Sequence, residues 1–226
     1  MESIKIIFNN IRDKIPQAVV RFNDGELLAI THNFKDGLKV SRGNQIVTKD
    51  LSQKLKEALQ HRQVHYWIGI PCIMCYPKLY KITASIIEPN YLYLTKAVVF
   101  ANRNWHYFIK NFPPLIANRN IIYVGGEDQS IDKLKEKTGI NVNQFIPVKP
   151  KDAWEDYQKT VAFNHFKEGD IVLLSCGPMS RVLVYEWYKK WPAVTFLDIG
   201  SAFDPFTKGA EYSYHSGKLK SCLICN

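Results

Sequence analysis

Two patterns of apolar and polar residues take turns along this chain. Short runs rich in β-branched and aromatic residues are typical of buried strands, and they occur at 18–23, 64–70, 97–101, 120–125, 142–148, 170–175 and 193–198. Between them, apolar residues recur at helical spacing at 3–15, 48–61, 127–138, 151–166 and 179–190. The alternation predicts an α/β fold, a Rossmann-like and mainly parallel sheet with helices on both faces.

Length and composition predict a single globular domain over residues 1–226. The chain has 226 residues, of which 46% are hydrophobic and 23% charged, and it shows no internal repeat or low-complexity tract. The segment from Met1 to Phe8 lacks the features of a signal peptide, and the longest apolar stretch, Tyr66 to Tyr76, is too short to span a bilayer. We therefore expect a cytoplasmic protein that is at most peripheral to a membrane.

The charge balance points to an anionic partner. Lysine and arginine total 30 against 21 acids, which gives a net charge of +9. Nucleic acid, phospholipid headgroups or a nucleotide diphosphate would satisfy that excess. The basic residues are scattered, however, and form no cluster of five or six, so no nucleic-acid partner is expected.

Four of the five cysteines form two CxxC pairs, Cys72–Cys75 and Cys222–Cys225. Together they have enough thiolates for one zinc ion. Their long separation and apolar intervening residues favour buried thiols over a zinc or redox site.

Parallel sheets bind ligands beyond the carboxyl ends of their strands, which makes the run Asn23-Asp24-Gly25-Glu26 the foremost candidate site. Hard cations such as Mg²⁺ and Mn²⁺ take one or two carboxylates, with water and substrate phosphates completing the shell. The glycine lets the backbone bend so that both acids reach one ion. The alternative is that Asp24 caps the following helix.

Two further strand ends carry candidate ligand groups. A buried run leads through Gly177 and Pro178 into a predicted helix, where backbone N–H groups, Ser180 and Arg181 are placed to hold phosphate; simple helix capping is an equal alternative. The last predicted strand precedes Asp204-Pro205, whose ordinary role is a turn. Trp154 is a candidate for stacking on a nucleobase, although core packing explains it as well.

Four short motifs follow one another in the order found in one enzyme family. They are Arg21-Phe22-Asn23-Asp24-Gly25-Glu26, Pro150-Lys151-Asp152-Ala153-Trp154, Leu173-Leu174-Ser175-Cys176-Gly177-Pro178 and Asp198-Ile199-Gly200. On these motifs the chain resembles the D-fold (GT-D type) glycosyltransferases, small Rossmann-like enzymes of bacterial glycan and adhesin glycosylation. Two departures stand out, since Asn23 replaces the family's usual glycine and Ser201 to Pro205 replaces its His-Ile-Asp-Ile-Glu.

The resemblance implies a transferase that moves a hexose from a nucleotide-diphosphate sugar, with UDP-sugar expected, to a glycan or glycoprotein acceptor. It implies Mn²⁺ or Mg²⁺ held by Asp24 and Glu26, and an inverting transfer would use Asp204 as general base. The expected nucleotide-sugar contacts are Arg21, Asn23, Trp154, Gly177, Ser180 and Arg181.

Two other functions remain open on the sequence. Leu197-Asp198-Ile199-Gly200-Ser201 resembles the first motif of SAM-dependent methyltransferases, but it lacks the following Gly-x-Gly and lies on the last strand. The basic surface also suits a non-catalytic carbohydrate- or nucleic-acid-binding module. Oligomeric state has no signal in the sequence.

Overall fold

The computed structural model describes residues 2–32, 40–42, 45–88, 90–213 and 215. Its strands are β1 (Ala18–Arg21), β2 (Val40–Arg42), β3 (Gln45–Val47), β4 (Tyr66–Ile70), β5 (Leu94–Lys96), β6 (Ile121–Gly126), β7 (Gln144–Val148), β8 (Ile171–Ser175) and β9 (Thr195–Asp198). Seven of them form one sheet in the order β5-β4-β1-β9-β8-β6-β7, in which every neighbouring pair is parallel. The predicted α/β fold with a parallel sheet is confirmed.

Helices cover both faces of the sheet. They are α1 (Glu2–Arg12), α2 (Asp24–Thr31), α3 (Lys49–Gln60), α4 (Pro77–Ala84), α5 (Trp105–Ile116), α6 (Ile131–Thr138), α7 (Tyr157–Val161), α8 (Met179–Lys190) and α9 (Asp204–Thr207). Side chains of a strand alternate between the two faces, so Val19 belongs to the apolar cluster with α1 and α5, whereas Val20 belongs to the one with α3 and α8. The central strands are therefore buried on both sides, as parallel strands require.

The observed elements differ from the predicted ones at several places, and helices α4, α5 and α9 lie outside the predicted helical spans. The strand expected at 97–101 lies at Leu94–Lys96, because Val99 and Phe100 are buried from a turn beyond the strand end. The helix expected over 151–166 is a 3-10 turn at Ala153–Asp156 followed by the short α7, and Asp152 just before it is left-handed with φ 57°. The antiparallel β2–β3 hairpin was not predicted.

The cysteine prediction is wrong for one pair. Cys72 and Cys75 form a disulfide in the turn after β4, where both are half-buried, because two residues of separation bring the sulfurs together in a tight turn. Cys222 and Cys225 lie outside the described residues. No helix in the described part of the chain is long and apolar enough to cross a membrane.

Candidate active site

The candidate site lies over the centre of the sheet, at the carboxyl ends of β1 and β9. The chain places β4 and β5 on one side of β1 and the remaining strands on the other. A crevice forms where the strand order changes direction, and ligands of open α/β sheets bind there. The ends of β1 and β9 carry Arg21 and Asp198, and α8 adds Arg181 from the helix that follows β8.

Four charged side chains form a buried network at this point. Arg181 Nη2 lies 3.2 Å from Glu26 Oε1, and Arg181 Nε lies 3.1 Å from Asp198 Oδ2. Arg21 Nη2 completes the series at 3.4 Å from Asp198 Oδ1. The two arginines balance the two acids, and Asp198 also accepts the backbone N–H groups of Arg21 and Gly200. Such a network holds its members in fixed geometry, because breaking any pair leaves a buried charge uncompensated.

Gly200 is the residue that leaves room for Arg21. A Cβ at Gly200 would lie 2.0 Å from Arg21 Nη2, and the backbone there has φ +53°. Both observations favour glycine, since a side chain would displace the guanidinium and strain the turn. The Asp198-Ile199-Gly200 run thus pairs with Arg21 through its first residue and accommodates it through its third.

The Asp-x-Glu acids have different surroundings. Asn23 begins α2 as its N-cap, in place of the predicted Asp24, and its backbone N–H donates to Glu26 Oε2 at 3.0 Å. With Oε1 paired to Arg181, both oxygens of Glu26 already have partners inside the protein. Asp24, one residue into the helix, is exposed and lines the cavity.

This donor set bears on the implied metal ion. Among the described residues there is no group of three or more His, Cys, Asp or Glu side chains placed to hold one. Asp24 fits an ion that arrives with a diphosphate, because Mg²⁺ commonly binds through one carboxylate, water and substrate phosphates. Glu26 fits only as a partner of a metal-bound water, since a guanidinium is already paired to its carboxylate.

Two cavities of about 310 and 290 Å³ open on either side of the network. Both are lined by Arg21, Glu26, Arg181 and Ser201, so they are two lobes of one groove. The first lobe adds Asn23, Asp24, Tyr76, Asn102 and apolar residues from the β5 and β9 loops. The second lobe adds Gly126, Lys149, Gly177, Asp204 and Lys208, among others.

Asp204 is the acid of the second lobe. Its Oδ1 accepts a hydrogen bond from Gln129 Nε2 at 3.2 Å, and its Oδ2 accepts one from the Tyr212 hydroxyl at 3.4 Å. Only 5% of the residue is exposed, and this burial raises the pKa of its carboxyl above the ordinary value, opposed by the nearby Lys208. A buried carboxyl with a raised pKa at a cavity wall suits proton transfer. Cys176 in the same lobe does not suit nucleophilic chemistry, because burial raises its pKa to about 12.

Comparison with known proteins settles the family. A family model for the GT-D fold-like domain matches residues 1–206. The chain belongs to the GT-D-like family. No curated protein sequence matches it. Two solved structures share its fold over 92% of this chain and 82% of theirs: a selenomethionine-substituted DUF1792 domain, with TM-score 0.68 and 16% identity, and a DUF1792 domain described as having a distinct glycosyltransferase fold, with TM-score 0.66 and 17% identity.

Within this GT-D-like domain, most of the residues singled out from the sequence meet at the groove. Asn23 and Asp24 line the first lobe, Gly177 and Asp204 line the second, and Arg21, Glu26 and Arg181 line both. Ser180 and Trp154 are not among the residues that line the groove.

Ser180 is fully buried, and its Oγ accepts the backbone N–H of Cys176 at 3.0 Å, so the hydroxyl is engaged within the protein. Trp154 packs on the core and stacks on Tyr157 with ring centroids 4.3 Å apart.

Several residues of the GT-D-like groove were not predicted from the sequence. Tyr76 and Asn102 follow β4 and β5, while Lys149 and Lys208 line the opposite lobe. Asn102 has a left-handed φ of 53°, which is uncommon for a residue other than glycine. None of the four belongs to a recognisable motif. The only usable signal was position, since each lies shortly after a strand or in the segment after Gly200.

Proposed function

We propose that this GT-D-like protein is a glycosyltransferase that moves a hexose from a nucleotide-diphosphate sugar to a glycan or glycoprotein acceptor. The observation that carries the proposal is the two-lobed groove, in which Asp24 and Asp204 lie in separate lobes on either side of a shared pair of arginines. Sugar transfer needs two neighbouring sites that meet at the reacting carbon, one for the donor and one for the acceptor. A UDP-sugar remains the expected donor.

The donor belongs in the first lobe, with its diphosphate reaching the shared centre. Asp24 would hold Mn²⁺ or Mg²⁺ there together with diphosphate oxygens, and Glu26 would contact the ion through water. Such an ion supplies charge neutralisation for the departing diphosphate. Asn23 and Tyr76 line the same lobe and are placed to contact the donor.

Arg181 supports the diphosphate from the protein side. Its described contacts use Nε, one N–H of Nη1 to Gly177 O at 2.7 Å and one N–H of Nη2 to Glu26. A guanidinium has five N–H donors, so two more are able to meet phosphate oxygens. Glu26 and Asp198 hold this guanidinium in place before the donor arrives, which lowers the free energy needed to organise the site.

The acceptor belongs in the second lobe, next to Asp204. In an inverting transfer, the Asp204 carboxylate takes the proton of an acceptor hydroxyl while that oxygen attacks the anomeric carbon. The bond between the anomeric carbon and the diphosphate oxygen breaks, and the nucleotide diphosphate leaves with the electron pair. Gln129 and Tyr212 orient the carboxylate through their hydrogen bonds.

A donor screen tests this proposal. The protein is incubated with UDP- and GDP-hexoses and MnCl₂, and release of nucleotide diphosphate is followed with and without glycan acceptors. We expect turnover of one nucleotide class, and loss of that turnover in Asp204→Asn with donor binding retained in calorimetry. Binding of a glycan without turnover of any donor would favour the non-catalytic module. Binding of SAM would favour the methyltransferase, although Asp198 of the suggestive motif is already paired with two arginines.

A further inference from the structure

Exposed apolar side chains are concentrated in the turn after β4. Ile73 is 53% exposed, Met74 65% and Tyr76 44%, and these three are among the eight large hydrophobic residues found exposed in the described part of the chain. The turn lies at the carboxyl edge of the sheet, and Tyr76 lines the first lobe of the groove. A cluster of large apolar side chains beside a cavity is a recognised mark of an interaction surface.

The backbone of this turn is constrained in a conformation that leaves Ile73, Met74 and Tyr76 exposed. The Cys72–Cys75 disulfide closes it, the Tyr76 N–H donates to Cys72 O at 2.8 Å, and Pro77 starts α4 immediately afterwards. Ile73 and Met74 are the two residues between the bonded cysteines. A disulfide-closed turn of this length has little freedom to fold its side chains back onto the protein. Less conformational entropy is therefore lost when the turn meets a partner.

The sequence that contains the turn is basic, and one exposed acid from elsewhere, Asp24, lines the same lobe of the groove as Tyr76. Between Ala58 and Gly126 the sequence contains one acid, Glu88, and seven basic residues: Arg62, Lys78, Lys81, Lys96, Arg103, Lys110 and Arg119. Three of the seven lie close to the turn. Lys78 is in the first turn of α4, Lys96 pairs in register with Ile70, and Arg103 follows Asn102, which shares a small pocket with Cys72.

We propose that the Cys72–Tyr76 turn, with its basic surroundings, docks the protein on an anionic phospholipid surface. Ile73 and Met74 enter the boundary between headgroups and acyl chains, and the neighbouring lysines and arginine meet the phosphates. An acidic protein partner is the alternative, and the experiment below separates it from the lipid surface.

Docking in this way places the first lobe next to the lipid surface, because Tyr76 lines that lobe. The inference goes beyond the proposed sugar transfer and does not depend on it, because vesicle binding is measured without any turnover. If the protein binds vesicles but transfers no sugar, the docking surface stands and the proposed function is wrong. If it transfers sugar but does not bind vesicles, the proposed function stands and the docking surface is wrong.

The experiment is flotation of the full chain with two kinds of vesicle, phosphatidylcholine alone and equal parts of phosphatidylcholine and phosphatidylglycerol. We expect binding to the anionic vesicles that weakens as salt is raised. The double variant Ile73→Ser/Met74→Ser should bind on the order of tenfold or more weakly, since it removes two large apolar side chains. Both positions are exposed, so its melting temperature should match the wild type.

Matched controls come from the opposite ends of β4 and β5, where these strands begin. Leu92 and Val64 are 85% and 62% exposed but precede β5 and β4, so Leu92→Ser/Val64→Ser should bind as the wild type does. Lys78→Glu should weaken binding to anionic vesicles. The proposal is wrong if the wild type ignores anionic vesicles, if both double variants lose binding equally, or if the turn binds polyglutamate and not vesicles.

Discussion

The carboxylate of Glu26 and the guanidinium of Arg181 meet at 3.2 Å, with each side chain about nine-tenths buried. Asp24, two positions earlier, is exposed at the cavity wall. The two acids of the Asp-x-Glu pair therefore have different surroundings. Glu26 pairs with the arginine at the centre of the groove, and Asp24 faces the cavity.

Replacement of the two acids should separate these roles. Asp24→Asn is expected to reduce turnover about a hundredfold with an unchanged melting temperature, because Asp24 is exposed and the change keeps its size while removing one charge-stabilising group. Glu26→Gln should reduce turnover and also lower the free energy of unfolding by about 2 kcal/mol, because it breaks a buried ion pair. Steady-state kinetics and urea denaturation measure both quantities.

Asp132→Asn is the control for Asp24→Asn, since Asp132 is an exposed acid in the first turn of α6. It should leave activity and stability unaltered. Turnover of Asp24→Asn at the wild-type level, insensitive to chelator, would show that Asp24 only organises the loop.

Gly200→Ala tests the space reserved for Arg21. The added Cβ would lie 2.0 Å from Nη2 at a backbone φ of +53°, so we expect a loss of about 3 kcal/mol in the free energy of unfolding. Gly139→Ala is the matched control, because its φ is +76° and a Cβ there meets no atom within 4 Å. It should lose only about 1 kcal/mol. Equal losses in urea denaturation would mean that the clash is relieved by movement of Arg21.

The raised pKa of Asp204 predicts opposite pH trends for activity and for the free energy of unfolding. Burial raises its pKa in the folded protein, so the folded state binds more protons than the unfolded state between the ordinary and the raised pKa. Its contribution to stability is therefore largest at low pH and falls as pH rises through the raised pKa. Activity should rise over the same interval, because the base acts when ionised.

The Asp204→Asn variant tests both pH trends, through urea denaturation and steady-state kinetics measured across the pH range. Relative to the wild type, the variant should gain free energy of unfolding as pH increases, and its residual turnover should lose the rising limb of the pH profile. A rising limb that persists in Asp204→Asn would assign the base to another group.

Ser180→Ala distinguishes a structural hydroxyl from a ligand contact. Removing Oγ leaves the buried N–H of Cys176 without its acceptor, which should lower the free energy of unfolding by about 1–2 kcal/mol. Affinity for UDP in calorimetry should stay within about twofold of the wild type, since that hydroxyl is buried and already bonded. A large loss of UDP affinity at unchanged stability would instead restore Ser180 as a phosphate ligand.

The sequence predicted the architecture better than the site. Helix α8 matches its predicted span because its apolar periodicity and its Gly177-Pro178 start agree, and strands β6 and β8 are long apolar runs. The strand near residue 97 was misplaced because a buried turn carries the same apolar residues as a strand. Local pattern does not separate the two.

The inner arrangement of the site depends on contacts between distant segments. Nothing near Glu26 in the sequence indicates that Arg181 will pair with its carboxylate, and nothing near Arg21 indicates that Asp198 will pair with its guanidinium. Such pairings follow from how the strands are ordered in the sheet. The Cys72–Cys75 disulfide was missed for a different reason, since the same spacing also occurs in reduced cysteines.

The position of β9 has a consequence for how the protein is made. Arg21 and Asp198 are 177 residues apart in sequence, and β1 pairs with β9 along one side. On the ribosome, β1 emerges early and must wait for almost the entire chain before that side is paired. Until then it presents an open strand edge, the kind of surface that promotes aggregation. Chains that stall before Thr195 should therefore both lack the groove and be the aggregation-prone species during synthesis.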